Sequence, residues 1–276
     1  MRPWKSRFLA PNGRSTWPWR QGSRCLSLDA KSARMGGSVL TIVIPAKDEE
    51  TYLPRLLASI RRQTLQPAEI IVADAFSTDR TREVAVSFGA RVVDGGMPGP
   101  GRNRGAAHAS TELILFLDAD VELDDPTFLE QAVACMRDRK LDLATCDVFP
   151  LSDAPLDHVM HGAYNRYVRA LGKAFPHAPG FCLLVRRSLH DAIGGFDESV
   201  TFCEDHDYAR RGARAGSFGF LPFKVPVSVR RLDRDGRVNI ALKFMLAELH
   251  LATLGPIKHD LFNYSFGHGK AGRPQA

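Results

Sequence analysis

Leu113-Ile114-Leu115-Phe116-Leu117-Asp118-Ala119-Asp120 is the stretch from which the rest of the chain is read. Five consecutive apolar residues leave no polar face and are too few for a helix. They fit a strand covered on both sides, as at the centre of a parallel sheet. Two acids follow at once, so charge gathers at that strand's carboxyl end.

Upstream, the pattern alternates. Val39–Ile44 is a short apolar run ending at Pro45. Tyr52–Arg62 carries Leu53, Leu56, Leu57 and Ile60 at helical spacing. Glu69–Ala73 reads as a second strand, and Ser77 as the cap of a helix over 78–88 with Asp79 in its first turn. Arg91–Val93 makes a third strand and Arg102–Ala109 a short helix. Strands and helices alternating at these lengths imply right-handed crossovers onto a mostly parallel α/β sheet flanked by helices. Ligands of such sheets sit beyond the carboxyl ends of the strands. Those ends are Pro45 to Glu49, Asp74 to Asp79 and Asp118 to Asp120, so acidic and polar residues from three strands converge on one edge.

Downstream, helices are expected over Thr127–Arg139, 155–173, Ser188–Ile193 and Glu204–Arg214, and strands over Leu141–Val148 and Gly180–Val185. The helix over 155–173 carries Leu156, Met160, Tyr164, Tyr167 and Leu171 as a stripe. Gly194-Gly195-Phe196-Asp197-Glu198 is a turn. Residues 215–237 receive no element. An apolar helix over 238–254 carries Val238, Leu242, Met245, Leu246 and Leu249 on one side, with Phe262, Tyr264 and Phe266 beyond. Such a helix either packs on the sheet or lies in a membrane interface.

Of the 276 residues, 44% are hydrophobic and 25% charged, enough for a sizeable core. The formal charge of +6 is unevenly spread. The first 34 residues hold eight basic side chains against Asp29, so they carry +7 and the remainder −1. A body of that charge is not expected to bind nucleic acid. Residues 1–38 lack helical or strand periodicity and read as a basic, disordered arm, which can touch anionic headgroups through Trp4, Trp17 and Trp19 or precede a true start at Met35. The expected organisation is that arm, a main domain over 39–229, and a C-terminal helix and tail over 230–276. Five cysteines without a C-x-x-C pair fit a reducing compartment. No apolar run is long enough to span a bilayer. The expected location is cytoplasmic, with a peripheral site on the cytoplasmic face of the inner membrane as the further option.

Residues i and i+2 of an extended segment project to one side, so Asp118 and Asp120 would offer paired carboxylates at the pocket mouth. Mg2+ binds through one or two carboxylates plus substrate phosphates, and a departing diphosphate needs that charge. Asp74 can accept a hydrogen bond from a uracil-type imide. The loop from Gly95 to Gly105 is glycine-rich and can bring backbone amides close to phosphate, with Arg102 or Arg104 supplying a cation. As plain structure, these same residues are turn formers, helix caps and solvated charges. His158 and His161, three apart on a helix, are expected at the surface or the acceptor cleft rather than on a metal.

Val43-Ile44-Pro45-Ala46-Lys47-Asp48-Glu49-Glu50, Val72-Ala73-Asp74 with Ser77-Thr78-Asp79, Gly101-Arg102-Asn103-Arg104-Gly105 and Phe116-Leu117-Asp118-Ala119-Asp120 together resemble family 2 glycosyltransferases of the GT-A fold. Gly194 to Glu198, and Glu204-Asp205-His206-Asp207 with Arg211, resemble that family's acceptor-side motifs. The resemblance covers roughly residues 39–225. It implies a nucleotide-binding half followed by an acceptor-binding half, a UDP- or GDP-linked sugar donor, Mg2+ or Mn2+, and an inverting displacement. Pro45, Glu49, Asp74 and Arg102 would hold the nucleotide. Asp118 and Asp120 would serve ribose, diphosphate and metal, and Asp205 would be the base. Lys47 departs from the family's usual Asn, and Ala75-Phe76 from its usual Asp-Gly. The Q-x-x-R-W motif of processive synthases is absent, which implies transfer of a single sugar. The acceptor is left open, with a lipid-linked molecule as one option. Rival readings are a retaining transferase of the same fold and an NAD(P)-binding oxidoreductase built on Gly99-Pro100-Gly101 and Asp118.

Overall fold

The computed structural model describes residues 39–96, 98–172 and 174–259. The first half runs β1 (Leu40–Ala46), α1 (Leu53–Arg61), β2 (Glu69–Asp74), α2 (Thr81–Ser87), β3 (Arg91–Asp94), α3 (Gly99–Ala107) and β4 (Leu113–Leu117). These four strands are parallel, in the order β3-β2-β1-β4. The five apolar residues of β4 are all buried because its two faces meet different cores. Leu113, Leu115 and Leu117 join Leu40, Ile42 and Ile44 of β1 beneath α1 and α2, whereas Ile114 and Phe116 join Val43 on the other face.

The second half adds α4 (Phe128–Asp138), β5 (Leu143–Pro150), α5 (Pro155–Leu171), β6 (Cys182–Arg186), α6 (Arg187–Ala192), α7 (Glu204–Ala215), β7 (Phe218–Val227), α8 (Arg230–Asp235) and α9 (Arg237–Thr253). The full order is β3-β2-β1-β4-β6-β5-β7, with β6 antiparallel to both neighbours. The result is a seven-stranded, mostly parallel sheet flanked by helices, as the alternation implies.

β7 was invisible in the sequence because Pro222 and Pro226 argue against a strand. Both are tolerated for local reasons. The β5–β7 ladder runs Thr145↔Phe220 and resumes at Asp147↔Lys224, so Pro222 falls in the irregularity. β7 is also an edge strand. Ser77 does not cap α2. That helix starts at Thr81, and the Asp79 carboxylate, outside it, accepts the Thr81 N–H (2.9 Å). The stripe expected on α5 is only partly internal. Tyr164 packs on the core, but Leu156 and Tyr167 are exposed, and the helix instead buries Asp157 under Arg237 (2.6 and 2.8 Å).

That ion pair anchors α9, which also packs Ala247 and Leu251 against Phe202, Cys203 and Ile257. The opposite side of α9 is open, with Val238, Leu242, Met245, Leu246 and Leu249 exposed. Among the described residues, no helix is long and apolar enough to cross a membrane. The expectations for residues 1–38 and for Phe262, Tyr264 and Phe266 lie outside the described residues.

Candidate active site

The loops after β1 and β2 are laced together. Ser77 Oγ accepts the Asp48 N–H (2.9 Å), Asp48 Oδ1 accepts the Thr78 N–H (2.7 Å), and Thr81 Oγ1 accepts the Glu49 N–H (2.7 Å). Pro45, next to last in β1, is half-buried, pairing with Ala73 of β2 and lying against Gly101. Lys47 reaches the Phe76 carbonyl (2.5 Å). Phe76 has a φ of 55° and is 68% exposed, a conformation that costs a bulky residue free energy. Within this framework Asp74 is fully buried. Its Oδ2 accepts the Ser77 N–H (3.1 Å) and an Arg82 N–H (3.1 Å), whereas Oδ1 is buried without a hydrogen-bond partner among the described residues. An unpaired buried carboxylate oxygen is costly unless a ligand donor meets it.

Asp118-Ala119-Asp120 is a turn rather than extended chain, so the geometry expected of i and i+2 does not hold. The Asp118 carbonyl accepts the Val121 N–H (3.3 Å). The two carboxylates meet different cations. Asp118 Oδ1 accepts from Arg102 Nη2 (2.8 Å), and Asp120 Oδ2 lies 3.1 Å from Arg230 Nε. Arg230 also holds Glu49 through both terminal nitrogens (2.8 and 2.6 Å) and lies over the Tyr52 ring. These contacts cross the boundary expected at 229/230. Burial pushes the Asp120 carboxyl up to about 6, with Asp118 and Glu49 adding to the shift and Arg230 opposing it. Burial likewise raises Glu49 against the pull of Arg230. A carboxylate held this way gains from any further cation, which is the donor chemistry a divalent ion needs. Beside Asp120 and Arg230 a cavity of about 220 Å³ opens.

The glycine-rich stretch is not one long loop. Gly99, Pro100 and Gly101 form the first turn of α3, and their job is packing. A Cβ on Gly101 would sit 2.4 Å from the Gly96 carbonyl oxygen, and one on Gly105 2.3 Å from Val43 Cγ1. Asn103 clamps the turn at Gly194-Gly195, donating to the Phe196 carbonyl (2.9 Å) and accepting the Phe196 N–H (2.8 Å). Arg104 donates to the Gly95 carbonyl (3.2 Å). Arg102, at 2% exposure, bridges Asp118 and Glu204 (2.6 Å), so its charge is matched by two acids. It joins the loop after β4 to the start of α7.

Asp205 opens α7. Its Oδ2 accepts the Gly180 N–H (2.6 Å) and its Oδ1 the His206 N–H (2.8 Å), so backbone donors fix the carboxylate. Asp207 pairs with Arg211 (2.7 Å), and Arg211 also donates to the carbonyls of Ile193 and Gly195 (2.8 Å each). His158 and His161 bond to the carbonyls of Ser152 and Asp157 (2.7 Å each). Sequence reasoning missed Arg230. The Arg230-Arg231 pair was visible, but without β7 nothing placed it at this edge.

The model of glycosyl transferase family 2 matches residues 41–194, 154 of the 276. The 4,4'-diaponeurosporenoate glycosyltransferase of Staphylococcus haemolyticus is 34% identical over 117 residues, 39% of this chain and 31% of that protein. Its Staphylococcus aureus counterpart (strain USA300) is 41% identical over 102 residues, 34% of this chain and 27% of that protein. The matched part therefore spans less than a third of either relative. Among solved structures, the Pyrobaculum calidifontis mannosyltransferase PcManGT in complex with GDP-Man and Mn2+ superposes with a TM-score of 0.58 at 22% identity, covering 69% of this chain and 57% of that one. Staphylococcus aureus TarS 1–349 with UDP-GlcNAc gives 0.57 at 18%, covering 68% and 58%. At these identities the structures show a shared GT-A fold. With the motifs in order along the matched span and the sheet built as that fold requires, the chain belongs to glycosyl transferase family 2.

Proposed function

We propose that this protein transfers a single sugar from a UDP- or GDP-linked donor to an acceptor, with inversion and with Mg2+ or Mn2+. The observation that carries the reading is Asp74 Oδ1, buried and unpaired at the end of β2 beside the acids of β1 and β4. A nucleobase imide N–H meets that oxygen. Pro45 and Glu49 line the same edge, and Arg102 acts on the nucleotide through Asp118. Asp118 and Asp120 take ribose, diphosphate and the ion. The ion, when bound, supplies positive charge against the leaving diphosphate. Asp120, which lies 3.1 Å from Arg230 Nε, would be a ligand of the ion.

The acceptor hydroxyl loses its proton to Asp205. That carboxylate is separated from the Asp118 edge by the Arg102–Glu204 bridge and pinned by two N–H donors, so it stays aimed during attack. The relatives named for 4,4'-diaponeurosporenoate support a lipid-like acceptor here. The open apolar side of α9, beside Lys243, supports a peripheral membrane contact. A retaining outcome is separated by the anomeric configuration of the product.

The test is a thermal-shift screen of UDP-, GDP- and other nucleotide sugars, with and without Mn2+. A ligand of the folded state raises the melting temperature. One donor class should do so, more strongly with Mn2+. Equal silence from every donor sinks the proposal. Flotation with anionic liposomes tests the membrane contact, and absence from the floating fraction removes it.

A further inference from the structure

Three side chains meet outside the edge described above. His177 follows α5, His206 lies in the first turn of α7, and Glu248 sits on α9. One ligand atom from each lies within 4.8 Å of the other two. Both imidazoles are buried. His177 Nε2 is 2.7 Å from Glu248 Oε2, and His206 Nδ1 is 3.3 Å from Glu248 Oε1.

The hydrogen bonds around His177 constrain its proton. Nδ1 lies 2.8 Å from the Phe175 carbonyl, which can only accept, so Nδ1 carries a hydrogen. In the neutral ring Nε2 is then a bare lone pair facing a carboxylate oxygen. That contact is held either by a second ring proton, as in a His–Glu ion pair, or by a metal ion between the two atoms. The backbone bond on the far nitrogen is also the arrangement that orients metal-binding histidines. His206 supplies a second, independent observation. Its Nδ1 is buried and faces Glu248 Oε1 at 3.3 Å without a hydrogen bond of good geometry among the described residues.

From this geometry we infer a divalent metal site of the Zn2+ class, with His177 Nε2, His206 Nδ1 and the Glu248 carboxylate as protein ligands. Two imidazoles and a carboxylate form a donor set that Zn2+ accepts, leaving a fourth position for water. The set shares no residue with Asp118 and Asp120. Its effect is positional. His206 is the neighbour of Asp205, so the ion ties α9 to the turn that carries the proposed base. Open α9 thereby becomes part of the acceptor side.

The experiment strips the full-length protein with a chelator and titrates Zn2+ without nucleotide, then repeats with Co2+ and reads visible absorption. One equivalent of Zn2+ should bind, and Co2+ should give ligand-field bands of a four-coordinate nitrogen and oxygen site. Asp120→Asn should keep both signals, and Glu248→Gln and His206→Gln should lose them. Failure of wild type to bind Zn2+ overturns the proposal, as does binding that survives Glu248→Gln or disappears in Asp120→Asn. Should the Glu248 and His206 variants not fold, imidazole nitrogen resonances of wild type decide. Zn2+ should shift those of His177 and His206. Resonances of a doubly protonated His177 that ignore Zn2+ would show a proton in the cation's place and overturn the site.

Discussion

Replacing Arg102 by Met keeps most of the stem and removes the charge that joins the two halves of the site. The cost falls unevenly. Asp118 is 31% exposed and regains water, but the Glu204 side chain is 8% exposed and cannot. Stranding one member of a buried ion pair costs about 3–5 kcal/mol, and most of it here belongs to Glu204. Burial and Asp205 already push the Glu204 carboxyl up, with Arg102 opposing them. Without Arg102 it takes a proton more readily, so the loss should be smaller at pH 5 than at pH 8. Removing both charges, in Arg102→Met with Glu204→Gln, should recover roughly 2–3 kcal/mol at pH 8, because neutral replacement of a buried pair is often tolerated. Guanidinium unfolding at both pH values reads all of this. A single variant within about 1 kcal/mol of wild type at pH 8, or a double variant no better than the single, would refute the reasoning.

Other outcomes follow from neighbouring residues. Burial lowers His190 to about 4, with its Nδ1 2.9 Å from the Tyr208 hydroxyl. Its unfolded value is higher, so its contribution is complete above about pH 6.5 and lost as pH falls toward 4, amounting to about 3 kcal/mol. His190→Gln should flatten that part of the denaturation profile, and an unchanged slope would assign it elsewhere. Gly105→Ala drives a methyl into fully buried Val43 and should cost about 1–3 kcal/mol in chemical denaturation, partly relieved by Val43→Ala. Asp205→Asn should lower turnover by about 100-fold or more while leaving nucleotide affinity unchanged. Near-normal turnover would move the base, and Glu204→Gln would be the next variant.

The first half of the fold was legible because its signals are local. β4 matches its apolar run residue for residue, and β1, α1, β2 and β3 lie within a residue or two of the expected bounds. The loops after them converge as the parallel order requires. What escaped depends on contacts distant in sequence. β7 is a strand because β5 pairs with it and absorbs Pro222 in an irregularity. Arg230 enters the site because β7 delivers it there, 181 residues from Glu49. Arg102 was expected as an open cation, but only the fold brings Glu204 within 2.6 Å of it. The cluster of His177, His206 and Glu248 had no spacing signal, since three separate elements supply it.

The most direct test of the central claim is a calorimetric titration of UDP and GDP into wild type and Asp120→Asn, each with and without Mn2+. The account predicts that one nucleotide binds wild type at one-to-one stoichiometry, that Mn2+ tightens it, and that Asp120→Asn loses the Mn2+ effect. Binding of neither nucleotide to wild type under any condition, or an intact Mn2+ effect in Asp120→Asn, would contradict it.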